Sequence, residues 1–579
     1  MHRPFLSVSQ RLFAASTLFL ANVLPASAAE PPKPDFGPNV LIFDPSIPAA
    51  TMQAKINAVY AVQQHNEFGS ERNAIFFKPG DYTLDVPIGF YTEVRGLGAS
   101  PDAVSIHGNV HADASLPRDN ATCTFWRAAE NFSVMPSGGT MQWAVSQAVP
   151  FRRMHVRGNI VLHQNGGWAS GGWMSDSLVD GNVGAGPQQQ WISRNSEWGS
   201  WSGANWNMVF LGIPNPPTGE WPTPPLTKVD RTPVIREKPF LEIDSAGTYT
   251  VRVPSLVHNT SGVTWHAGIT PSTSIPLEKF YIAHPATDTA VTLNTQLARG
   301  KHLLLTPGIY NLTEPLRVTR PDTVVLGLGF ATLHPTNGTA AMTTADVEGL
   351  TVAGLLFDAG EKQSPVLLEV GPANSQANHA ANPILLADIF FRVGGAGVGR
   401  ADVNFRINSR DTVVDHTWVW RADHGAGVGW DQNLSRNGLV VNGDNVTIYG
   451  LFVEHHQQFQ VLWNGNGGRT FFYQSEIPYD PPTQTAYTSA PGTNGWASYK
   501  VADAVSTHQA WGLGVYSVFR HPNVTLTRAI ETPRKPGIAF HHMITVCLDD
   551  KGEISNVIDD QGGPTSIHPR VTPKVTTFP

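Results

Sequence analysis

Apolar residues fall in short runs along this chain, each closed by Gly, Asn or Pro. Residues 350–357 (LTVAGLLF), 384–391 (ILLADIFF), 412–420 (TVVDHTWVW) and 446–453 (VTIYGLFV) share one shape, bulky, β-branched and aromatic. Runs of this length and composition predict strands. They recur at roughly 25–35 residues, the length of a solenoid coil, so each run is expected to stack on the one before it. Asn437-Gly438 and Asn442-Gly443 would also permit hairpins, as in a sandwich, but the regular spacing favours the solenoid.

A larger unit repeats as well. FFKPGDYTL at 76–84 returns as LLTPGIYNL at 304–312, and each copy is followed by Gly-Leu-Gly, at 96–98 and 327–329. A strand, a Pro-Gly turn, a second short strand and a tight turn account for the pattern. Ahead of each copy stands a stretch with helical spacing, 50–63 and 289–297, which suits a cap over the apolar end of a solenoid. The sequence therefore predicts an all-β chain of two related parallel β-helix domains, 29–270 and 271–579, with the break near 270–276. The Pro-rich stretch 212–225 is expected to loop over the first domain, and 247–252 and 279–283 read as strands near the junction.

Residues 1–28 read as a secretory signal. Arg3 and Arg11 supply charge, 12–24 is apolar, and Ala26-Ser27-Ala28 is a small-residue cleavage site. The apolar run is short and broken by Ser16, Thr17, Asn22 and Pro25, which argues against a membrane anchor. An exported protein free of the membrane is expected. Its 39 Lys and Arg against 46 Asp and Glu give a net charge of −7, or −9 once the leader's two arginines are removed. With no basic cluster, that balance disfavours nucleic acid and anionic membranes as partners. Cys123 and Cys547 could pair in an oxidising compartment, but sequence cannot supply the distance a bridge requires.

Candidate chemistry is concentrated in 451–480 (LFVEHHQQFQVLWNGNGGRTFFYQSEIPYD). Glu454 and Glu476 stand 22 residues apart among Trp463, Phe471, Phe472, Tyr473 and Tyr479. One coil of offset puts them on neighbouring strands, about 5 Å apart along the stack. A sideways offset opens this to the roughly 6.5–9.5 Å at which an acid and a base hold a water between them. Sugar C–H faces stack on aromatic rings while the hydroxyls seek hydrogen bonds, so the combination points to glycoside hydrolysis.

Longer motifs make that reading specific. Residues 418–425 (WVWRADHG), 442–454 (NGDNVTIYGLFVE), 462–480 and 508–514 (HQAWGLG), with 164–173 (QNGGWASGGW) and 188–195 (QQQWISRN) in the first domain, resemble glycoside hydrolase family 55. The resemblance implies two tandem right-handed β-helices of pectin-lyase-like fold with the active cleft between them. It also implies an inverting β-1,3-glucanase; no cofactor is expected, and exo attack is favoured, with chain-end or internal attack depending on loops such as 212–225. Glu476 would be the general acid, its pKa raised by aromatic neighbours, and Glu454 the ionised partner that helps bind or activate water. Gln164 and Gln189 are then candidates for the water site, since an amide donates and accepts while staying neutral; an amide ladder in the turns is the alternative. Trp420 and Tyr479 are candidates for stacking on a pyranose, with Trp463 and Trp511 behind them. Asp423 and His424 would hydrogen-bond hydroxyls. Alternation puts Trp418 and Trp420 on one face. Asp415 reads as a structural partner in its strand, and Arg194 and Arg469 as groups that hold loops or hydroxyls. The Gly-Asp-Gly-x-x-Asp-Asp opening frequent in the family is replaced by FDPSIP at 43–48.

No metal is expected. His455-His456 and His541-His542 are adjacent pairs whose members point to opposite faces of a strand, and no His-Glu-x-x-His spacing occurs. Other readings share the scaffold. One is a hydrolase of another neutral glycan. A calcium-dependent polysaccharide lyase would need clustered acidic ligands, whereas Asp415, Asp423 and Asp444 are scattered. A non-catalytic glycan-binding solenoid leaves Glu454 and Glu476 unexplained. The expected partner is a polysaccharide or oligosaccharide, best a β-glucan, met by a monomer.

Overall fold

Strands stack in parallel rungs through the computed structural model, which describes Met1 and residues 33–266, 268 and 270–579. The expected signal segment, Met1 apart, lies outside the described residues. Nine strands from Val40–Phe43 to Leu226–Val229 form one parallel sheet, with an eight-stranded parallel sheet beside it. A second pair follows. Its larger sheet has thirteen strands, among them Thr412–Arg421, Thr447–Glu454, Gly468–Glu476, Thr507–Ser517 and Gly537–Cys547, and its smaller has eight. Antiparallel strands Phe240–Ile243, Tyr249–Pro254 and Ser272–Pro276 link the two solenoids. Residues 212–225 contain no helix or strand.

Both expected caps are helices. Ala49–Gln63 buries Met52 and Ile56, and Ala290–Ala298 buries Leu293 and Leu297 behind a Thr289 side chain that accepts from the Thr292 amide. Coil length varies more than the apolar runs predict. Thr447 pairs with Arg469, one coil of 22 residues, whereas Gly467 donates to Thr507 across 40. The excess lies between the stacked strands and includes a small hairpin, Thr488–Ala490 with Thr493–Asn494, so the stacking is undisturbed.

Apolar side chains fill three layers: the interior of each solenoid and the seam between them. The seam joins Trp126, Trp173 and Ile192 of the first solenoid to Phe390, Trp418, Tyr449, Phe452 and Phe471 of the second. Each long strand of the second solenoid's larger sheet is bent once, at a residue with left-handed backbone: Gly354, Asp388, His416, Gly450, Phe472, Gly512 and His542. These residues stack rung on rung. Ala387 pairs with Asp415 and Ile389 with Thr417, leaving Asp388 and His416 unpaired between them. At Gly450 a Cβ would lie 2.6 Å from the Trp173 ring, so the bend requires glycine for close approach as well as for its φ of 65°.

The bend resets the alternation of faces. Ile448 points into the second solenoid, and regular alternation would send Phe452 and Glu454 inward too. Instead Leu451 and Val453 fill the interior, and Phe452 joins the seam. The same shift at Phe472 turns Tyr473 and Ile477 inward. Glu454 and Glu476 thereby face the other solenoid.

Charge is buried in the seam as well. Arg152 donates to both oxygens of Asp388, at 2.7 and 2.8 Å, and to Asp415 at 2.7 Å. Arg194 donates to Asp415 at 2.9 Å and clamps Glu237 with two bonds of 2.7 Å. Asp415 is thus a structural partner, but across the seam rather than within its strand. Breaking one partner of such a buried network leaves an uncompensated charge. Cys123 and Cys547 are free thiols. Among the described residues no helix is long and apolar enough to cross a membrane.

Candidate active site

The strands of the two facing sheets run so that the starts of one set meet the ends of the other. Gln147, Ser170 and Gln189 stand just before first-solenoid strands Pro150–Arg152, Trp173–Ser175 and Gln190–Arg194. Glu454 and Glu476 end second-solenoid strands Thr447–Glu454 and Gly468–Glu476. These five residues line one cavity of about 250 Å³, with Thr122, Cys123, Phe125, Trp420, Asp423, His424, His455, Tyr479 and Leu548.

Adjacent rungs hold the two carboxyls. Phe452 pairs with Gln474, and the His455 amide donates to the Glu476 carbonyl at 2.8 Å. Glu454 is buried, and each of its oxygens receives one N–H: Gln147 Nε2 at 2.8 Å and Trp418 Nε1 at 2.9 Å. Glu476 is partly open; the Tyr479 hydroxyl donates to one oxygen and Gln474 Nε2 lies 3.4 Å from the other. The Tyr479 ring stands edge-on to His455 at 4.4 Å.

Burial is the largest influence on both acids. It pushes Glu476 up to about 7, against the Tyr479 hydrogen bond and with the help of the Asp423 charge. Burial and the neighbouring Glu476 charge push Glu454 well above the usual carboxylate range, opposed by Trp418 and Gln474. Two such neighbours do not both ionise at neutral pH, and the pair titrates as a unit. The two N–H donors on Glu454 favour its ionised form, whereas the Tyr479 hydroxyl can also accept from a protonated Glu476. We therefore locate the shared proton on Glu476. Asp423 is the contrasting acid: burial opposes its ionisation, but the His424 hydrogen bond and the charges of His455, His424 and Arg520 outweigh it and hold the carboxyl low. His424 is bracketed by Asp423 at 2.8 Å and Glu67 at 2.7 Å. Burial works against its charge, yet these partners and Cys123 push it up to about 12, so it is a cation.

A second cavity of about 330 Å³ shares Thr122, Gln189 and Leu548 with the first and adds Trp168, Trp206 and Arg570. Trp168 is 48% exposed, unusual for so large an apolar ring, and lies 6.5 Å from Trp206 at an interplanar angle of 26°.

Residues 280–476 match the LAM55 pectate lyase-like domain family. An exo-β-1,3-glucanase of Streptomyces sp. (strain SirexAA-E / ActE) is 47% identical over 565 residues, 97% of this chain and 93% of that protein. The structure of sacteLam55A from Streptomyces sp. SirexAA-E superposes with a TM-score of 0.92 at 47% identity, covering 94% of this chain and 99% of that one. A glutamate-to-alanine variant of sacteLam55A, solved in complex with glucose, gives the same values. The chain belongs to glycoside hydrolase family 55. It is a glycoside hydrolase with the pectate-lyase-like β-helix fold.

Of the residues singled out from sequence, Glu454, Glu476, Gln189, Trp420, Tyr479, Asp423 and His424 meet at the cavity. Three do not. Gln164 accepts from the Ala114 amide and Gln142 and donates to Asp119 at 2.6 Å, a turn network within the first solenoid. Trp463 is fully buried inside the second solenoid against Tyr499 and His508. Trp511 is stacked between Phe471 at 4.6 Å and His541 at 5.4 Å, before the bend at Gly512, whereas the cavity lies beyond the bends. Trp420 reaches the cavity but is only 1% exposed, stacked on Trp418 and Phe68, so it is a wall rather than an open platform. The expected ionised state of Glu454 has burial against it and two N–H donors for it.

Sequence reasoning missed Gln147, Ser170, Glu67, Trp168 and Trp206. A signal existed for the first two. Hydrogen bonds around them span 24 residues (Ser170 amide to Ser146 Oγ) and 20 (Gln190 Nε2 to Ser170 Oγ), one coil each. Stepping by coil lengths from Gln189 leads to them, whereas choosing amides by type led to Gln164.

Proposed function

We propose that this protein is an exported, monomeric, inverting exo-β-1,3-glucanase with Glu476 as general acid, its two domains spanning 29–270 and 271–579. The observation that carries the reading is the pair Glu454 and Glu476, one coil apart in one cavity between the solenoids, in a chain 47% identical to an exo-β-1,3-glucanase. Glu476 gives its proton to the departing glycosidic oxygen. Water attacks the anomeric carbon from the opposite face and loses a proton to Glu454. Gln147 suits holding that water: its Nε2 is fixed on Glu454 while its buried Oε1 has no partner among the described residues. Ser170 adds a hydroxyl beside it.

Attack at a chain end is supported by the shape. The 250 Å³ cavity is below the size that takes a drug-sized ligand, and the Trp420–Phe68 stack backs it on one side. The other side opens to Trp168 and Trp206, a ring surface for the leaving part of the chain. Rung spacing alone, about 4.8 Å, is close to the separation of retaining pairs, and inversion needs roughly 6.5–9.5 Å. Glu454 is anchored on the first solenoid's Gln147 and Glu476 on Tyr479, so the two carboxyls are held by separate partners.

The test is product release from laminarin beside β-1,4-, β-1,6- and α-linked glucans and a pectin, with the anomer followed by NMR in wild type and Glu476→Gln. Release of α-glucose from laminarin, lost in the variant, is expected. Initial β-glucose would overturn inversion, and an unsaturated product from pectin would overturn hydrolysis.

A further inference from the structure

We propose that Glu67, Cys123 and His424 form a binding site for a thiophilic divalent cation, zinc(II) in the first instance, in the wall of the active cavity. The three come from separate segments: the turn after the first cap helix, the turn before strand Arg127–Glu130, and the turn after strand Thr412–Arg421. One carboxylate oxygen, one sulfur and one imidazole nitrogen lie within 4.8 Å of one another. Two ligands on one zinc ion, at about 2.0–2.3 Å each, stand no more than roughly 4.5 Å apart. Small side-chain shifts therefore suffice, with His424 Nε2 and Glu67 moving slightly apart from their present 2.7 Å.

Donor chemistry sets the choice of ion. Thiolate with imidazole selects zinc-like ions over magnesium or calcium, which take oxygen ligands. The surroundings are also those of a metal-binding histidine. Asp423 accepts from His424 Nδ1 at 2.8 Å, which fixes the ring and turns Nε2 toward Glu67 and Cys123. Arg520 in turn donates to the Asp423 carbonyl at 2.6 Å. Cys123 and His424 both line the cavity, so a fourth position opens to solvent. Hydrolysis as derived above uses neither Cys123 nor Glu67. On loading, the protons of Cys123 Sγ and His424 Nε2 pass to water as metal–sulfur and metal–nitrogen bonds form; no electron is transferred. Resting on the reading of the cavity as the sugar site, the ion takes Asp423 and His424 away from hydroxyls and excludes the chain end.

The test uses the purified full chain after EDTA treatment, titrated with cobalt(II) as a spectroscopic probe and then zinc(II). One cobalt per chain is expected, with a sulfur-to-cobalt charge-transfer band that zinc abolishes. The band should vanish in Cys123→Ser and persist in Cys547→Ser, whose thiol is buried against Asp549. Asp423→Asn should weaken cobalt binding about 10- to 100-fold while keeping the band. Should Cys123→Ser not fold by circular dichroism, Glu67→Gln serves instead, with the band retained and affinity lowered. Zinc should raise KM for laminarin with kcat unchanged, reversed by EDTA. No charge-transfer band, a band surviving Cys123→Ser, or one lost in Cys547→Ser overturns the site. These spectra do not depend on the substrate, so failure of the glucanase reading and failure of the metal site remain distinguishable.

Discussion

Strands Thr447–Glu454 and Gly468–Glu476 begin beside one cavity and end beside another. At their starts lies the larger, about 660 Å³, lined by Thr447, Gly468, Arg469 and Thr507 among others. Its one carboxylate, Asp411, is occupied by the His379 amide at 3.0 Å and Asn445 at 3.1 Å. At their ends lies the 250 Å³ cavity, where two carboxyls from adjacent rungs are lined up with Gln147, whose Oε1 has no hydrogen-bond partner among the described residues. The same strands make both, so the fold does not distinguish them, and the larger volume belongs to the cavity without the acid pair. What does is a pair of acids whose ionisation the environment resists, the condition for holding a proton at neutral pH.

Substitutions at the two ends of these strands separate the two cavities by activity. Glu476→Gln is expected to lower kcat on laminarin by about 10³- to 10⁴-fold, at the upper range of general-acid effects, with circular dichroism unchanged. Next in size is Gln147→Ala, about 10²-fold in kcat for the loss of a donor on Glu454. Gln164→Ala, by contrast, should stay within about twofold, because its bonds end in a first-solenoid turn. Equal losses in the two variants would restore Gln164 to the water site.

A pH profile sharpens the same contrast. A general acid acts in its protonated form, so kcat/KM should fall by one proton's dependence as pH rises through about 7, where Glu476 titrates. Tyr479→Phe removes the hydroxyl that lowers this value, so the alkaline limb should move to higher pH. A limb that stays in place would put the essential proton elsewhere. Smallest in activity is Asp411→Asn at the other cavity: within about twofold in rate, with a loss on the order of 1 kcal/mol in stability for its hydrogen bonds, read as a lower Tm. A rate loss as large as that of Glu476→Gln would mean that the larger cavity takes part in catalysis.

Much of the second solenoid was legible from sequence, for a physical reason. A strand buried on both faces must be apolar along its length, and stacked coils must repeat it. The runs at 384–391 and 412–420 are strands Ile384–Val393 and Thr412–Arg421, paired in register. Trp418 and Trp420 do share a face, at 4.7 Å. The first solenoid was less legible. Its strands Pro150–Arg152 and Trp173–Ser175 are three residues long, too short for alternation to register, and their neighbours Gln147 and Ser170 look like any turn residues. Trp463 and Trp511 were misjudged because an aromatic ring serves a core as well as a sugar; only the side of the strand on which it lands decides.

By itself, the sequence determined the class of the fold, its caps, the 22-residue step between Glu454 and Glu476 and, through its motifs, the family. Those are local or periodic properties, written in neighbouring residues. The tertiary structure decided which way the glutamates face. Alternation from Ile448 or Thr470 would bury both in the solenoid interior, and single left-handed residues at Gly450 and Phe472 turn them out. The structure also decided that residues as distant as Cys123, Gln147 and His424 meet them, with Glu67 bound to His424. A bend of one residue leaves almost no mark on hydrophobic periodicity, yet it inverts every position after it, and contact across the seam depends on two solenoids packing rather than on either one's repeat.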